Sequence, residues 1–330
     1  MRQAGRYMAE YQKLREKYDF LTLCKTPELA AQVSLQPINK FDMDGMIFFS
    51  DILTPLEPMG IDLAFSEATG PALETSSFDQ GLTDLRPYHV PEALNYVPQT
   101  LKILKQEKPH KALIGFAGAP FTLATYLMEK KHKQKFHAIR IAMAQSPEYV
   151  KRVLELLARQ MGHYLAWQLI SGADLVQLFD SWAGNLPPEQ FAEFVLPYQN
   201  LCFETMRQEL EKHEEGRQRL YNKDYYTILF IKNFAGPWTL LENSLADIFS
   251  IDDSRSLAQV RAELKKKRPL QGNLSSYDLF LPQDQLKQKV RTIAQELENT
   301  GHIFNLGHGV LPQTPEQSIT TIMQTLHGTN

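Results

Sequence analysis

The chain has 330 residues, of which 43% are hydrophobic, 10% aromatic and 22% charged, an ordinary composition for a well-packed globular protein. That length fits two average domains or one large α/β barrel, since barrels of roughly 250 residues fold as one unit. Thirty-five basic residues against thirty-eight acidic ones leave a net charge of −3, which excludes a bulk nucleic-acid or membrane-surface binder and requires any anionic partner to be held by a local cluster.

In chain order, short β-rich apolar runs alternate with longer helical patterns. The runs are Gly45–Ser50, Ala112–Ala117, Asp174–Phe179, Thr227–Lys232, Ala246–Ile251, Pro269–Asn273 and His302–Leu306. They are continuous rather than alternating, as strands buried on both faces of a parallel sheet should be. Between them lie segments such as Ser146–Leu169 and Pro282–Asn299, with apolar residues three and four apart, the spacing of helices with one buried face. Strands alternating with helices give an α/β fold. A closed (β/α)8 barrel needs one strand more, and its place is at the start, where Met1-Arg2-Gln3 reads as the tail of a truncated first strand. An open doubly wound sheet is the alternative. It normally carries a glycine-rich turn after an early strand, and no such turn occurs here.

Polar residues follow the C-terminal ends of these runs: Asp51, Tyr126, Asp180-Ser181 and His308. In a barrel those ends open onto one face, where chemistry is done. Asp51 and Ser181 are equally good helix N-caps. Asp51 has apolar neighbours, so its carboxylate should meet a cation or N–H donors. His308 lies between Gly307 and Gly309, which suits a ligand-facing imidazole. Arg2 and Arg6 flank Gly5, with Lys13 and Arg15 close behind. They form either a solvated arm or a pair of forks for a ligand with several carboxylates or phosphates. The small residues of Ala117–Thr122 admit either an anion at a helix start or close helix–strand packing. Lys130–Lys135 is a basic run, read as a solvated loop or as one side of a pocket mouth. Cys24 and Cys202 are the only cysteines, too few for a zinc ribbon or disulfide framework. His302, six residues from His308, is a poor second metal ligand, so no metal is expected. With no apolar stretch of ~18 residues and no signal-peptide core, the expectation is a cytoplasmic protein without a membrane span.

Six motifs in order, MRQAGRY (Met1–Tyr7), FSDIL (Phe49–Leu53), GFAGAPFTLAT (Gly115–Thr125) with Tyr126, LFDSWAG (Leu178–Gly184), QGNL (Gln271–Leu274) and NLGHG (Asn305–Gly309), make the chain resemble the uroporphyrinogen decarboxylase family over its whole length. The resemblance implies a single (β/α)8 barrel over residues 1–330, a homodimer with facing clefts, and conversion of uroporphyrinogen III to coproporphyrinogen III by loss of four acetate carboxylates as CO2, without metal or organic cofactor. It implies that Asp51 receives the pyrrole N–H groups and stabilises the cationic ring. Arg2 and Arg6 would anchor side-chain carboxylates, one of them serving in proton donation, with Arg15 adding to their field. Tyr126, Ser181 and His308 would make the remaining polar contacts, and Ile47, Phe49 and Phe179 the apolar walls. The chain departs from the family's pattern at Met8-Ala9, at Asp253, at Ser275 and in the lysine run that replaces a glycine-rich loop. Two rivals are a catalytically inactive porphyrinogen-binding barrel and a corrinoid-dependent methyltransferase of the same superfamily. The second normally binds zinc through cysteines that are missing here.

Overall fold

The computed structural model describes residues 5–66, 70–73, 85–129, 136–297 and 301–328. Nine strands appear among them: β1 (Gly45–Ile47), β2 (Leu63–Ser66), β3 (Gly70–Leu73), β4 (Ala112–Gly118), β5 (Leu175–Asp180), β6 (Tyr226–Ile231), β7 (Ile248–Ile251), β8 (Leu270–Leu274) and β9 (His302–Leu306). The hairpin β2–β3, antiparallel and separate from the main sheet, has no counterpart in the sequence reading. The other seven strands fall within two residues of the apolar runs, except that β1 is shorter and ends at Ile47. The two long helices also lie where their periodicity puts them, at Pro147–Ile170 and Gln283–Glu296.

The seven strands form one parallel sheet in the order β1-β4-β5-β6-β7-β8-β9. Spatial order follows chain order without reversal, so there is no switch point of the doubly wound kind. Right-handed crossovers then put every helix on the same face, and the sheet must cover its other face by curling. Three side chains show that it does. Gln271 Nε2 on β8 donates to Ser250 Oγ on β7 at 2.8 Å and to Gln177 Oε1 on β5 at 3.2 Å. In a flat sheet β5 and β8 would lie roughly 14 Å apart, too far for upright side chains to meet.

Gly115 marks the outer face. A Cβ there would collide with Gln168 of the helix Pro147–Ile170, whose amide brackets β4 by accepting from Phe116 N–H (2.6 Å) and donating to Phe116 O (3.0 Å). Alternation therefore turns Phe116, Gln177 and Phe179 to the concave face.

β9 and β1 are the sheet's two edges, with no pairing between them among the described residues. β9 is only partly buried, whereas β7 and β8 are buried throughout. The helix layer nevertheless joins across this gap. The helix Glu316–His327 packs on Pro27–Phe41, with Ile319, Ile322, Val33 and Phe41 in one buried cluster that also takes in Tyr7, Met8 and Tyr11. Lys40 spans the junction, 3.0 Å from Glu10 and 2.7 Å from Glu316.

Candidate active site

The chain leaves β1 through a turn fastened at nearly every residue. Phe49 N–H donates to Ser34 Oγ (2.7 Å), and the Ser34 hydroxyl donates in turn to Ala30 O (2.9 Å). Ser50 Oγ and Thr54 Oγ1 are 3.2 Å apart, Thr54 donates to Asp51 O at 2.9 Å, and Leu53 N–H donates to Asp51 Oδ1 at 2.9 Å. One oxygen of Asp51 thus serves the turn rather than capping a helix, since the 3-10 helix Thr54–Met59 that follows has Leu53 at its N-cap and no side-chain cap bond. The carboxylate is half-buried at the C-terminal end of its strand.

Beneath it lies the buried thiol of Cys24, whose pKa is pushed well above normal by burial first and by the negative charge of Asp51 second, with Lys25 and Arg15 acting oppositely. Asp51 and Arg15 therefore act on the same buried atom. Arg15 donates to Tyr18 O at 2.8 Å, and its guanidinium lies 6.0 Å from the Phe20 ring. Phe20 meets Phe49 edge-on at 5.6 Å, as Tyr11 does at 5.8 Å. The fold thus gathers Arg15, Phe49 and Asp51. Arg6 is exposed, and its neighbour Tyr7 is buried with Leu274 and Val310 at the ends of β8 and β9. Arg2 and the basic run Lys130–Lys135 lie outside the described residues.

The second wall is built around Asp180, which is wholly buried at the end of β5. Its Oδ1 accepts from Thr122 Oγ1 at 2.7 Å and from Ala183 N–H at 3.3 Å, and its Oδ2 accepts from Gln199 Nε2 at 2.8 Å. Burial raises its carboxyl pKa, while the Thr122, Gln199, Ala183 and Trp182 donors oppose the shift. Thr122 Oγ1 also accepts Ser181 N–H at 2.8 Å. One carboxylate thereby joins the helix Pro120–Met128, which carries Tyr126, to the loop that carries Ser181. The rings of Tyr126 and Trp182 meet edge-on at 6.2 Å, and Phe136 lies over Trp182 at 3.6 Å. Ser181 does not take the capping role that the sequence offered it: the 3-10 turn Ala183–Asn185 has Trp182 at its N-cap and no side-chain cap bond, and the Ala183 N–H reaches back to Asp180.

An aromatic row lines the concave face between these walls: Phe48–Phe116 at 5.1 Å, Phe116–Phe179 at 5.8 Å and Phe179–Phe230 at 5.7 Å. Phe179 belongs to this row, and half-buried Ile47 pairs with Ile114 on the same face. Phe48, not Phe49, joins the row, because β1 ends at Ile47 and the chain turns, sending Phe49 to Tyr11 and Phe20. His308 is exposed beyond β9, and Gly307 lies so close to Asp253 that a Cβ would sit well inside van der Waals contact with its backbone N. His302 is engaged elsewhere, with Nε2 2.7 Å from Gly272 O.

The small residues before Tyr126 serve packing. A Cβ on Gly118 would lie 2.6 Å from Leu123 Cδ2 and 3.2 Å from Ile52 Cβ, and Ala117 and Ala119 are fully buried. Sequence reasoning missed Thr122 and Gln199 as partners of Asp180. The available signal was an aspartate directly before Ser181 at a strand end, which needs donors if it is buried.

A singly wound parallel α/β sheet with polar side chains collected at the C-terminal ends of its strands has the layout of the barrel enzymes. The chain belongs to the uroporphyrinogen decarboxylase (URO-D) family, whose sequence pattern matches residues 1–329. It is 38% identical over 328 residues to the uroporphyrinogen decarboxylase of Trichormus variabilis, covering 98% of this chain and 90% of that protein. Against that of Carboxydothermus hydrogenoformans it is 37% identical over 332 residues, covering 99% and 90%. Among solved structures, a methyltransferase from Methanosarcina mazei shares the fold with a TM-score of 0.75 at 15% identity, over 92% of this chain and 86% of that one. No helix among the described residues is long and apolar enough to cross a membrane.

Proposed function

We propose that this protein removes the four acetate carboxylates of uroporphyrinogen III as CO2, giving coproporphyrinogen III in tetrapyrrole biosynthesis. A pyrrole acetate loses CO2 readily only if the electron pair left behind has somewhere to go. Protonating the adjacent ring carbon makes the ring a cationic, iminium-like sink. Loss of CO2 then leaves an exocyclic methylene, which takes a proton to become methyl as the ring carbon returns its own. The substrate supplies the sink, so the reaction calls on no cofactor.

The observation that carries this reading is Asp51, a half-buried carboxylate fixed at the end of β1 by the Leu53 N–H, in a chain of this family. A fixed carboxylate facing the pyrrole N–H groups stabilises the cation without having to reorganise. In this reading Arg2 and Arg6 anchor side-chain carboxylates and take part in proton donation, with Arg15 adding to the field. Tyr126, Ser181 and His308 hold polar groups, and Ile47, Phe49 and Phe179 face the macrocycle, with Phe48 and Phe116 extending that wall.

We further infer that the sheet closes as a single eight-stranded barrel over residues 1–330. Support comes from the helix layer that joins across β9 and β1, and from Ile303. This residue pairs with Gln271 on the concave face and yet is 36% exposed, as an apolar side chain awaiting a neighbouring strand would be. A cytoplasmic homodimer with facing clefts completes the proposal.

The test is anaerobic incubation of the purified protein with uroporphyrinogen III, without added metal or cofactor, followed by oxidation and separation of products by carboxylate number. Stepwise seven- to four-carboxyl products are expected. Binding without product from a folded protein would overturn the decarboxylase in favour of a binding barrel.

A further inference from the structure

Lys232 is a cation at the cleft that the reading above leaves unused. It directly follows β6, and its N–H donates to Asp180 O at 3.0 Å, continuing the β5–β6 ladder past the last paired residues, Asp180 and Ile231. The next pair in this register is Ser181 and Lys232. Along β6, Ile228 and Phe230 share one face by alternation, and Lys232 opens the turn that follows. The shared face is the concave one, because the Phe230 ring contacts Phe179. Ile231 points the other way and is 1% exposed in the core. The Lys232 backbone therefore stands at the rim beside Ser181, two residues past Phe230 of the aromatic row.

Its backbone is held firmly. Gly184 lies so close that a Cβ there would collide with the Lys232 carbonyl and with Asn233, so the Ser181–Asn185 loop fits over the end of β6 only with glycine at that point. The side chain is half-buried. Among the described residues no ion-pair or hydrogen-bond partner of its ammonium appears, whereas Lys25, Lys40, Lys105, Lys111 and Lys151 each have a carboxylate within 4 Å. A half-buried lysine stem with an unmatched head, at the rim of the sheet beside Ser181, is suited to an anion arriving in the cleft.

We propose that Lys232 is a carboxylate-binding residue of the cleft, holding an acetate or propionate of the porphyrinogen beside Ser181. The proposal rests on the decarboxylase reading for the identity of its ligand. A contact of this kind is made equally before and during the chemical step, so its loss weakens binding without slowing chemistry. The test compares wild type with Lys232→Met, which keeps an unbranched stem without the charge, and with Lys232→Arg. Two readouts are taken across a salt series: steady-state decarboxylation of uroporphyrinogen III, and fluorescence titration with uroporphyrin III, the oxidised, unreactive macrocycle bearing the same carboxylates.

Lys232→Met should raise KM and the uroporphyrin Kd by about five- to tenfold, the range of one charge-assisted contact at a partly exposed site. Its kcat should stay within about twofold of wild type, and its KM should depend less steeply on salt. Lys232→Arg should recover most of the affinity. Unchanged KM and Kd in a folded Lys232→Met protein would overturn the proposal, as would a loss of kcat at constant KM. If Lys232→Met fails to fold, Lys232→Gln takes its place in both assays. Wild-type protein that binds uroporphyrin without decarboxylating uroporphyrinogen would overturn the enzyme reading alone, and the binding titration would still decide Lys232. Wild-type protein that binds neither macrocycle would overturn both.

Discussion

The two sides of the cleft are built differently. On the β4–β5–β6 side the strands pair without interruption, and a charged group is fully buried. Asp180 is 0% exposed and receives hydrogen bonds from three separate elements. On the β9–β1 side there is no strand pairing among the described residues, and the polar connections are surface ones. Lys40 bridges Glu10 and Glu316 with all three side chains roughly a third or more exposed, and both Arg6 and His308 are exposed. A continuous ladder excludes water and so allows a carboxylate to act as a rigid clamp. An interrupted one leaves its ion pairs in high dielectric, where they contribute little. One side of the cleft is thus preorganised by burial and the other by helix packing. The two sides should respond differently to mutation.

Asp51 lies between them, and it should give the largest effect. In the proposed mechanism Asp51→Ala should lower turnover by about a hundred- to a thousandfold, the scale on which a preorganised charge-stabilising group acts. Stability should change little, because the turn loses its Leu53 N–H bond but keeps its Ser34 and Thr54 bonds. Product analysis by carboxylate number, together with circular dichroism, checks both halves. Near wild-type turnover would remove Asp51 from the mechanism.

The contrast also explains what was legible in the sequence. β5, β6 and β8 lie inside the sheet, their apolar runs are continuous, and their bounds are read to within one residue. Continuous burial leaves a continuous signal. β1 borders the gap, and its apolar run continues to Phe49 after pairing has stopped. Hydrophobicity alone therefore overran the strand. The rim positions Asp51, Ser181 and His308 were visible because each follows a strand. The partners of Asp180 were not, because Thr122 and Gln199 are 58 and 19 residues away in sequence and meet it only in the fold. The closing strand was inferred by counting to eight, a topological argument that no local signal at Met1-Arg2-Gln3 supports by itself.

Removing the clamp tests the rigid side directly. Asp180→Ala should strip acceptors from the buried Thr122 hydroxyl, Gln199 amide and Ala183 N–H, and cost about 3 kcal/mol or more of stability, since each stranded donor is destabilising by ~1–3 kcal/mol. Asp180→Asn, which retains one acceptor oxygen, should cost less. Thr122→Val leaves Asp180 in place but cuts the link to the Ser181 N–H, so it should raise KM more than it lowers the urea midpoint. The equivalent cut on the other side is Lys40→Ala, which should cost no more than about 1 kcal/mol and less at high salt. Urea denaturation of the set ranks them. A Lys40→Ala loss as large as that of Asp180→Ala would show that the two sides do not differ in the way argued.

The smallest expected effect is a pH dependence on the open side. His302 begins β9, and its Nε2 lies 2.7 Å from Gly272 O on β8, a strut between the edge strand and its neighbour. Burial lowers its pKa below the usual 6.5, with the Gly272 carbonyl and the charge of Glu296 only partly opposing. The unfolded chain therefore takes up this proton first as pH falls. Stability from this residue is flat above the unfolded value and declines as pH drops through it, until the lower folded pKa is reached. Most carboxylates titrate below that window, so the decline between about pH 7 and 5 reports histidines, and His302→Gln should make it shallower. The other half-buried histidines, His163 and His213, lie 3.0 and 3.2 Å from Glu209. Both are present in wild type and in His302→Gln alike, so they drop out of the difference between the two curves. Urea midpoints at a series of pH values, for wild type and His302→Gln, give the difference in slope. Parallel curves would mean that the β8–β9 strut stays solvated enough to titrate as it does in the unfolded chain, and that the open side begins at β8 rather than at β9.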